Sequence, residues 1–189
     1  MPILVSMLRG VNVGSHNRIK MDALRGLYES LHLEEPRTYL QSGNVIFRTQ
    51  IRAQEKDLAQ LAAKIQSAIE KTFACRPEVI LRTVDELRNA VANSPFARRT
   101  SLEPGKILIT FLAEVPAKEA RDKLTALKDH PEELHLKGRE LYIYFPDGVG
   151  KSKLPWSQVE RLLNVTGTAR NLNSCRAMLQ IAEEMTSAR

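Results

Sequence analysis

Two near-continuous apolar runs punctuate the chain, Ile3-Leu4-Val5-Ser6-Met7-Leu8 and Ile107-Leu108-Ile109-Thr110-Phe111-Leu112. They match position by position: two aliphatics, a third apolar β-branched residue, a hydroxyl, a large apolar residue and leucine. Six such residues without polar alternation predict a strand covered on both faces. After the first run comes a polar loop, Arg9 to Lys20, and then Met21, Leu24, Leu27 and Leu31 at helical intervals. The segments Arg37-Leu40 and Val45-Arg48 flank Gln41-Ser42-Gly43-Asn44, whose residue types accept positive φ cheaply, and predict a hairpin. Leu58, Leu61, Ala62, Ile65 and Ile69 lie on one stripe of a helix from about Gln54 to Thr72, and Val79-Arg82 reads as a fourth strand. The order is β-α-β-β-α-β.

Thr83-Val84-Asp85-Glu86 has the spacing of a capping box and predicts a short helix over Val84-Ala92, stopped by Asn93-Ser94-Pro95. Arg98 to Gly105 is polar and reads as a linker. From Ile107 the opening theme returns. Pro116 suits a first helical position, with Ala117, Ala120, Leu124 and Leu127 on one face behind it. Leu134 and Leu136 alternate with polar neighbours, Gly138-Arg139 turns the chain, and Leu141-Phe145 is the partner strand. A helix holding Val159, Leu162 and Leu163 follows, then a short closing strand over Val165-Ala169 and an amphipathic helix over Asn171-Met185. Glu34-Glu35, before Pro36, reads as loop.

The pattern predicts an α+β protein made of duplicated ferredoxin-like (split βαβ) units with antiparallel sheets. Residues 1–83 form the first half, 84–105 a linker helix and loop, and 106–189 the second half with its C-terminal helix.

This topology places polar residues. The first helix is a crossover, so strands one and two run parallel and the bends that leave them share one rim of the sheet. Arg9, Asn12, Gly14, Asn17 and Arg18 should therefore face Gln41, Ser42, Gly43 and Asn44, with Ala74-Arg76 at the same end. In the second half the opposite end should collect Asp147-Lys153 and Arg170-Asn173. Glycines, amides and cations in that arrangement suit an anion. The expected ligand-binding set is Arg9, Asn12, Gly14, Arg18, Gln41, Ser42, Gly43, Asn44, Lys151, Ser152, Lys153, Arg170 and Asn171. The length of Arg9-Lys20 favours function, because such connections ordinarily take about two to six residues.

Composition adds modest constraints. Net charge is +6 and pI about 9.5. The excess is spread evenly, with 13 Lys+Arg against 10 Asp+Glu in residues 1–95 and 15 against 12 in residues 96–189. Such mixing points to ordinary solubility more than to a dedicated basic face. Arg9 cuts the first apolar run short, which argues against an export signal or membrane span, and two distant cysteines read as reduced thiols in a cytoplasmic protein. His16, His32, His130 and His135 are scattered without metal spacing, so no metal site is expected and no cofactor is implied. Among the histidines, His16, in the first polar loop, is the candidate acid or base.

Other signals resolve to packing. Gly148-Val149-Gly150-Lys151-Ser152 lacks the leading glycine of a phosphate-binding P-loop, since Phe145 stands there, which leaves a simple Lys/Ser phosphate contact open. Tyr142 and Tyr144 share a sheet face, but Lys137-Gly138-Arg139-Glu140 does not fit the RNA-binding pattern. Cys175 reads as a buried helix cysteine, and Trp156, after Pro155, as a hydrophobic staple at a helix entry.

Several motifs together resemble one family. They are Leu8-Arg9-Gly10-Val11-Asn12-Val13-Gly14, Met21 to Leu24, Thr38-Tyr39-Leu40-Gln41-Ser42-Gly43-Asn44-Val45, Ser94-Pro95-Phe96, Ser152-Lys153-Leu154 and Thr168-Ala169-Arg170-Asn171. In that order they are similar to the family catalogued as domain of unknown function 1697. The resemblance implies a bacterial-type cytoplasmic protein with two ferredoxin-like halves, and brings no reaction, cofactor or catalytic residue. Where the family shows Arg-Asn-Trp-Asn-Thr, this chain has Arg170-Asn171-Leu172-Asn173-Ser174.

Three functional expectations follow. The first is a protein that binds a nucleotide or nucleic-acid phosphate through Arg9, Arg18, Lys151, Lys153 and Arg170. A second is an enzyme acting on a small phosphorylated or carboxylated metabolite, assisted by His16 or Ser42. The third is an interaction module whose loops meet another protein or a second copy, as a homodimer. No membrane partner is expected.

Overall fold

The structure is a computed structural model that describes residues 1–14, 17–52 and 54–187. By contacts the chain divides into two units, Met1–Asn89 with Arg176–Arg189, and Ala90–Cys175.

In the first unit β1 (Ile3–Leu8), α1 (Met21–Ser30), β2 (Glu34–Tyr39), β3 (Asn44–Arg48), α2 (Glu55–Phe73) and β4 (Val79–Thr83) follow the expected order. The strands lie in the order β2-β3-β1-β4 and every neighbouring pair is antiparallel. β1 and β2, both antiparallel to β3, are thus parallel to each other with β3 between them, which is the split βαβ arrangement. Leu4 and Leu8 of β1, Val45 and Phe47 of β3, and Val79 and Leu81 of β4 form a core with Leu24 and Leu27 of α1 and Leu61, Ile65 and Ile69 of α2. Inside that core Ser6 Oγ and Tyr28 Oη lie 2.8 Å apart and hydrogen-bond, so neither buried hydroxyl is orphaned. The other sheet face carries Ile3, Val5 and Met7 opposite Arg48, Ile46 and Arg82, and Ile80, all buried.

The second unit repeats the plan with β5 (Ile107–Leu112), α4 (Lys118–Thr125), β6 (Glu133–Lys137), β7 (Glu140–Tyr144), α5 (Trp156–Leu163) and β8 (Gly167–Asn171). Its strand order, β6-β7-β5-β8, is the same, again fully antiparallel. The duplication is faithful to the residue. Val5 pairs with Arg82 and Ile109 with Arg170, Leu8 with Val79 and Leu112 with Gly167. Turn hydrogen bonds are duplicated too. Leu8 N–H donates to Gly43 O at 3.0 Å as Leu112 N–H does to Arg139 O at 2.9 Å, and Arg9 N–H donates to Glu78 O as Ala113 N–H does to Thr166 O.

Each fourth strand runs directly into a helix, α3 (Val84–Ala92) after β4 and α6 (Leu172–Ser187) after β8. The capping box forms as expected, with Glu86 N–H on Thr83 Oγ1 at 3.1 Å and Thr83 N–H on Glu86 Oε2 at 2.8 Å. At α6 the cap is Asn171, whose Oδ1 accepts Ser174 N–H at 2.8 Å.

Three expectations differ in detail. Glu34-Glu35 belongs to β2, with a bulge between Glu34 and Arg37 and Glu35 at φ 49°. Pro116 precedes the α4 N-cap, Ala117, and so lies outside the helix. The closing strand starts at Gly167, two residues later than Val165. By contacts the chain from Arg176 groups with the first unit. There Arg48, buried on β3, donates to Met185 O and pairs with Glu35 at 3.2 Å, and Arg88 pairs with Glu183 at 3.3 Å.

Candidate functional site

Three connections meet at the rim of the first sheet where β1 ends. Leu8 N–H reaches the β2–β3 turn at Gly43 O, Arg9 N–H reaches Glu78 O before β4, and Asn12 Nδ2 donates to Gln41 O at 2.6 Å. The Asn12 and Ser42 bends therefore share one rim, as the topology requires.

The long loop is built by its own amides. Gly10, Asn12, Gly14 and Asn17 adopt φ of 71°, 55°, 60° and 50°. These left-handed turns suit Gly and Asn. Asn12 Oδ1 accepts Ile19 N–H at 2.8 Å and its Nδ2 donates to Ile19 O at 3.0 Å, so one side chain closes the loop as a strand partner would. Asn17 Nδ2 donates to Gly10 O at 3.1 Å, and buried Val11 and Ile19 anchor both limbs in the core. In the hairpin, buried Asn44 donates to Tyr39 O at 3.0 Å and to Ser42 Oγ at 2.9 Å. Gly43, at φ 72°, lies so close to Leu8 that an added Cβ would sit 2.8 Å from Leu8 Cβ.

The expected site residues thus divide. Asn12 joins the two bends, Gly43 ties the hairpin to Leu8, and Asn44 braces the hairpin from within. Gly14, Arg18 and Gln41 are exposed, and Arg9 and Ser42 half-buried, so a ligand can reach these five. Beside them stand two apolar residues that sequence reasoning passed over, Val13 at 67% exposure and Leu40 at 58%. Leu40 is also held at φ 56°, a conformation costly for a leucine. The only sequence signal was their place next to Asn12 and Gln41. His16 lies outside the described residues.

In the second unit Lys151, Ser152, Lys153 and Asn171 gather at the end where β5 begins. Leu108 pairs with Asn171, and Phe145 N–H donates to Lys106 O at 2.9 Å as the chain leaves β7. Lys151 and Lys153 are exposed. Ser152 Oγ accepts Leu154 N–H at 3.1 Å, a local turn bond. Arg170 differs from the expected surface cation: it is buried, and Nη1 donates to Thr168 Oγ1 and Ala169 O, each at 2.8 Å. Burial pushes its guanidinium down to about 10, so it is still charged at neutral pH. Leu172, where the family resemblance leads one to expect Trp, is buried as the first residue of α6.

Covered aromatics and thiols bear out the packing interpretations. Tyr142 is buried with its hydroxyl donating to Ala90 O at 3.0 Å, and half-buried Tyr144 has the Phe96 ring 6.0 Å away. Burial pushes the Cys175 thiol up to about 12 and, more weakly, raises that of half-buried Cys75. We expect one fast-reacting thiol, Cys75, in a native-state titration with a disulfide reagent at mildly alkaline pH, and the second only after denaturation. Stability carries the same sign. Unfolded Cys175 ionises above about 8.5 while the folded thiol does not, so its contribution is intact below that pH and is lost as pH rises toward 12.

Among the described residues no helix is long and apolar enough to cross a membrane, and no group of three or more His, Cys, Asp or Glu could hold a metal ion. Comparison with solved structures gives a conserved bacterial protein, SP0830, from Streptococcus pneumoniae, with TM-score 0.68 and 19% identity over 96% of this chain and 98% of that one. At that identity the likeness shows the fold. No curated protein matches. Residues 1–142 match the family model described as protein of unknown function (DUF1697), and the chain belongs to that family.

Proposed function

We propose that the protein binds an anionic ligand, a nucleotide or nucleic-acid phosphate, at the rim of the first sheet. The observation that carries this reading is internal to the molecule. The second unit passes from β5 to α4 in five residues, 113–117, and from β6 to β7 in two, 138–139. The first unit uses twelve, 9–20, and four, 40–43, for the same connections. The fold closes without the extra length, yet both enlargements stand at one rim and touch through Asn12 and Gln41. They present Arg9, Arg18, Lys20 and Gln41 around left-handed backbone, the chemistry that cradles phosphate.

Titration with a fluorescent single-stranded oligonucleotide and with a nucleoside triphosphate tests this. Affinity should fall steeply with added salt, and Arg18→Ala, at an exposed side chain, should weaken it about fivefold or more without changing stability. Absence of binding at low salt, or binding indifferent to Arg18, would sink the proposal.

Val13 and Leu40 favour a second reading, self-association through the same rim. Leu40→Asn suits the left-handed backbone better and removes the apolar tip. A sedimentation profile that is monomeric at all concentrations in both forms would reject that reading.

A further inference from the structure

We propose that the Gly148–Lys153 turn of the second unit, with the indole of Trp156, binds a nucleobase carrying a phosphate. This goes beyond the first-unit rim and rests only on the ligand being anionic. Trp156 opens α5 and stacks on Phe145, with ring centroids 5.9 Å apart and planes 23° from parallel. Phe145 is fully buried, whereas Trp156 keeps 37% of its surface exposed. An indole braced on one face by an immobile ring loses little freedom when a base stacks on its other side. Lys151 and Lys153, both exposed, precede it by five and three residues, and Gly148 at φ 86° turns the chain into a single 3-10 turn that displays them.

A separate observation marks the same place. Lys153 N–H donates to Glu132 Oε1 at 3.3 Å, and Glu132 Oε2 lies 3.5 Å from His130 Nδ1. The His130 and Glu132 side chains are 7% and 2% exposed. Glu132 Oε2 and His130 Nδ1 thus face each other at ion-pair distance, while His130 Nε2 has no hydrogen-bond partner among the described residues. A buried imidazole nitrogen left unsatisfied beneath a basic turn is uncommon in a connection that merely closes a loop. The turn thus combines a braced aromatic, two cations and a buried His130–Glu132 pair bonded to its backbone.

Trp156 is the only tryptophan in the chain, so its fluorescence reports on this site alone. We expect oligothymidylate at low salt to quench it. Trp156→Ala should weaken a labelled oligonucleotide about tenfold, as loss of one stacked base does. The double change Lys151→Gln, Lys153→Gln, at exposed positions that do not threaten folding, should weaken binding and flatten its salt dependence. Thymidine monophosphate separates the sources of this chemistry: quenching by it as well assigns a free nucleotide, and quenching by the oligonucleotide alone assigns a strand. No quenching by either, or an affinity unchanged in the double lysine variant, overturns the proposal. Binding that leaves the indole signal untouched and responds only to Arg18→Ala overturns it too, while the first-unit reading stands.

Discussion

Gly43→Ala is expected to lower the free energy of unfolding by about 2–4 kcal/mol, the sum of two physical costs. A non-glycine residue at φ 72° costs about 1–2 kcal/mol. The new methyl would also sit 2.8 Å from Leu8 Cβ and 3.1 Å from Leu8 Cγ, atoms fixed in the core end of β1. Relief needs the hairpin to move off the strand, which lengthens the Leu8 N–H to Gly43 O bond. Gly14→Ala is the control. Gly14 has φ 60° but nothing within 4 Å of its added Cβ, so only the conformational cost applies, about 1–2 kcal/mol. Equal losses in the two variants, measured by urea unfolding, would show that the close approach of hairpin and strand is not what holds this rim.

Asn12→Ala should cost about 2–3 kcal/mol, through loss of the bonds to Ile19 N–H, Ile19 O and Gln41 O and the removal of a residue type that tolerates φ 55°. Asn12→Asp is the sharper test. It matches the shape and keeps the acceptor for Ile19 N–H, but turns a second oxygen toward two carbonyls. It should therefore be at least as destabilising as the alanine, with the Ile19 amide exchanging faster in both. An aspartate variant as stable as wild type would mean that the donor bonds do not hold the loop.

Much of this fold is legible in the chain because the informative residues act locally or through strict period. The matched runs at Ile3 and Ile107 fix equivalent central strands, and Thr83 and Glu86 fix a helix start within four residues of sequence. What escaped detection depends on pairing at a distance. Glu34-Glu35 looks like loop because a bulge breaks the alternation of an edge strand, and register with Arg48 is what makes it strand. Val165 and Thr166 have the β-branched chemistry of a strand, yet pairing with β5 starts only at Gly167, where an added Cβ would meet Leu112 Cδ2 at 2.7 Å. Arg170 reads as a surface cation, since charge alone does not reveal burial opposite Ile109. At the candidate site the meeting of two bends follows from topology. Which residues build and which remain reachable does not, because Asn12 and Asn44 use their amides inward while Leu40 and Val13 face out.

The most direct test maps the ligand on the amide spectrum of the labelled protein during titration with a short oligonucleotide. Shifts concentrated in Arg9–Gly14, Asn17–Lys20 and Leu40–Asn44, whether or not Val149–Trp156 also responds, are what the enlarged rim predicts. A bound state whose shifts leave both bends of the first unit unmoved would contradict it.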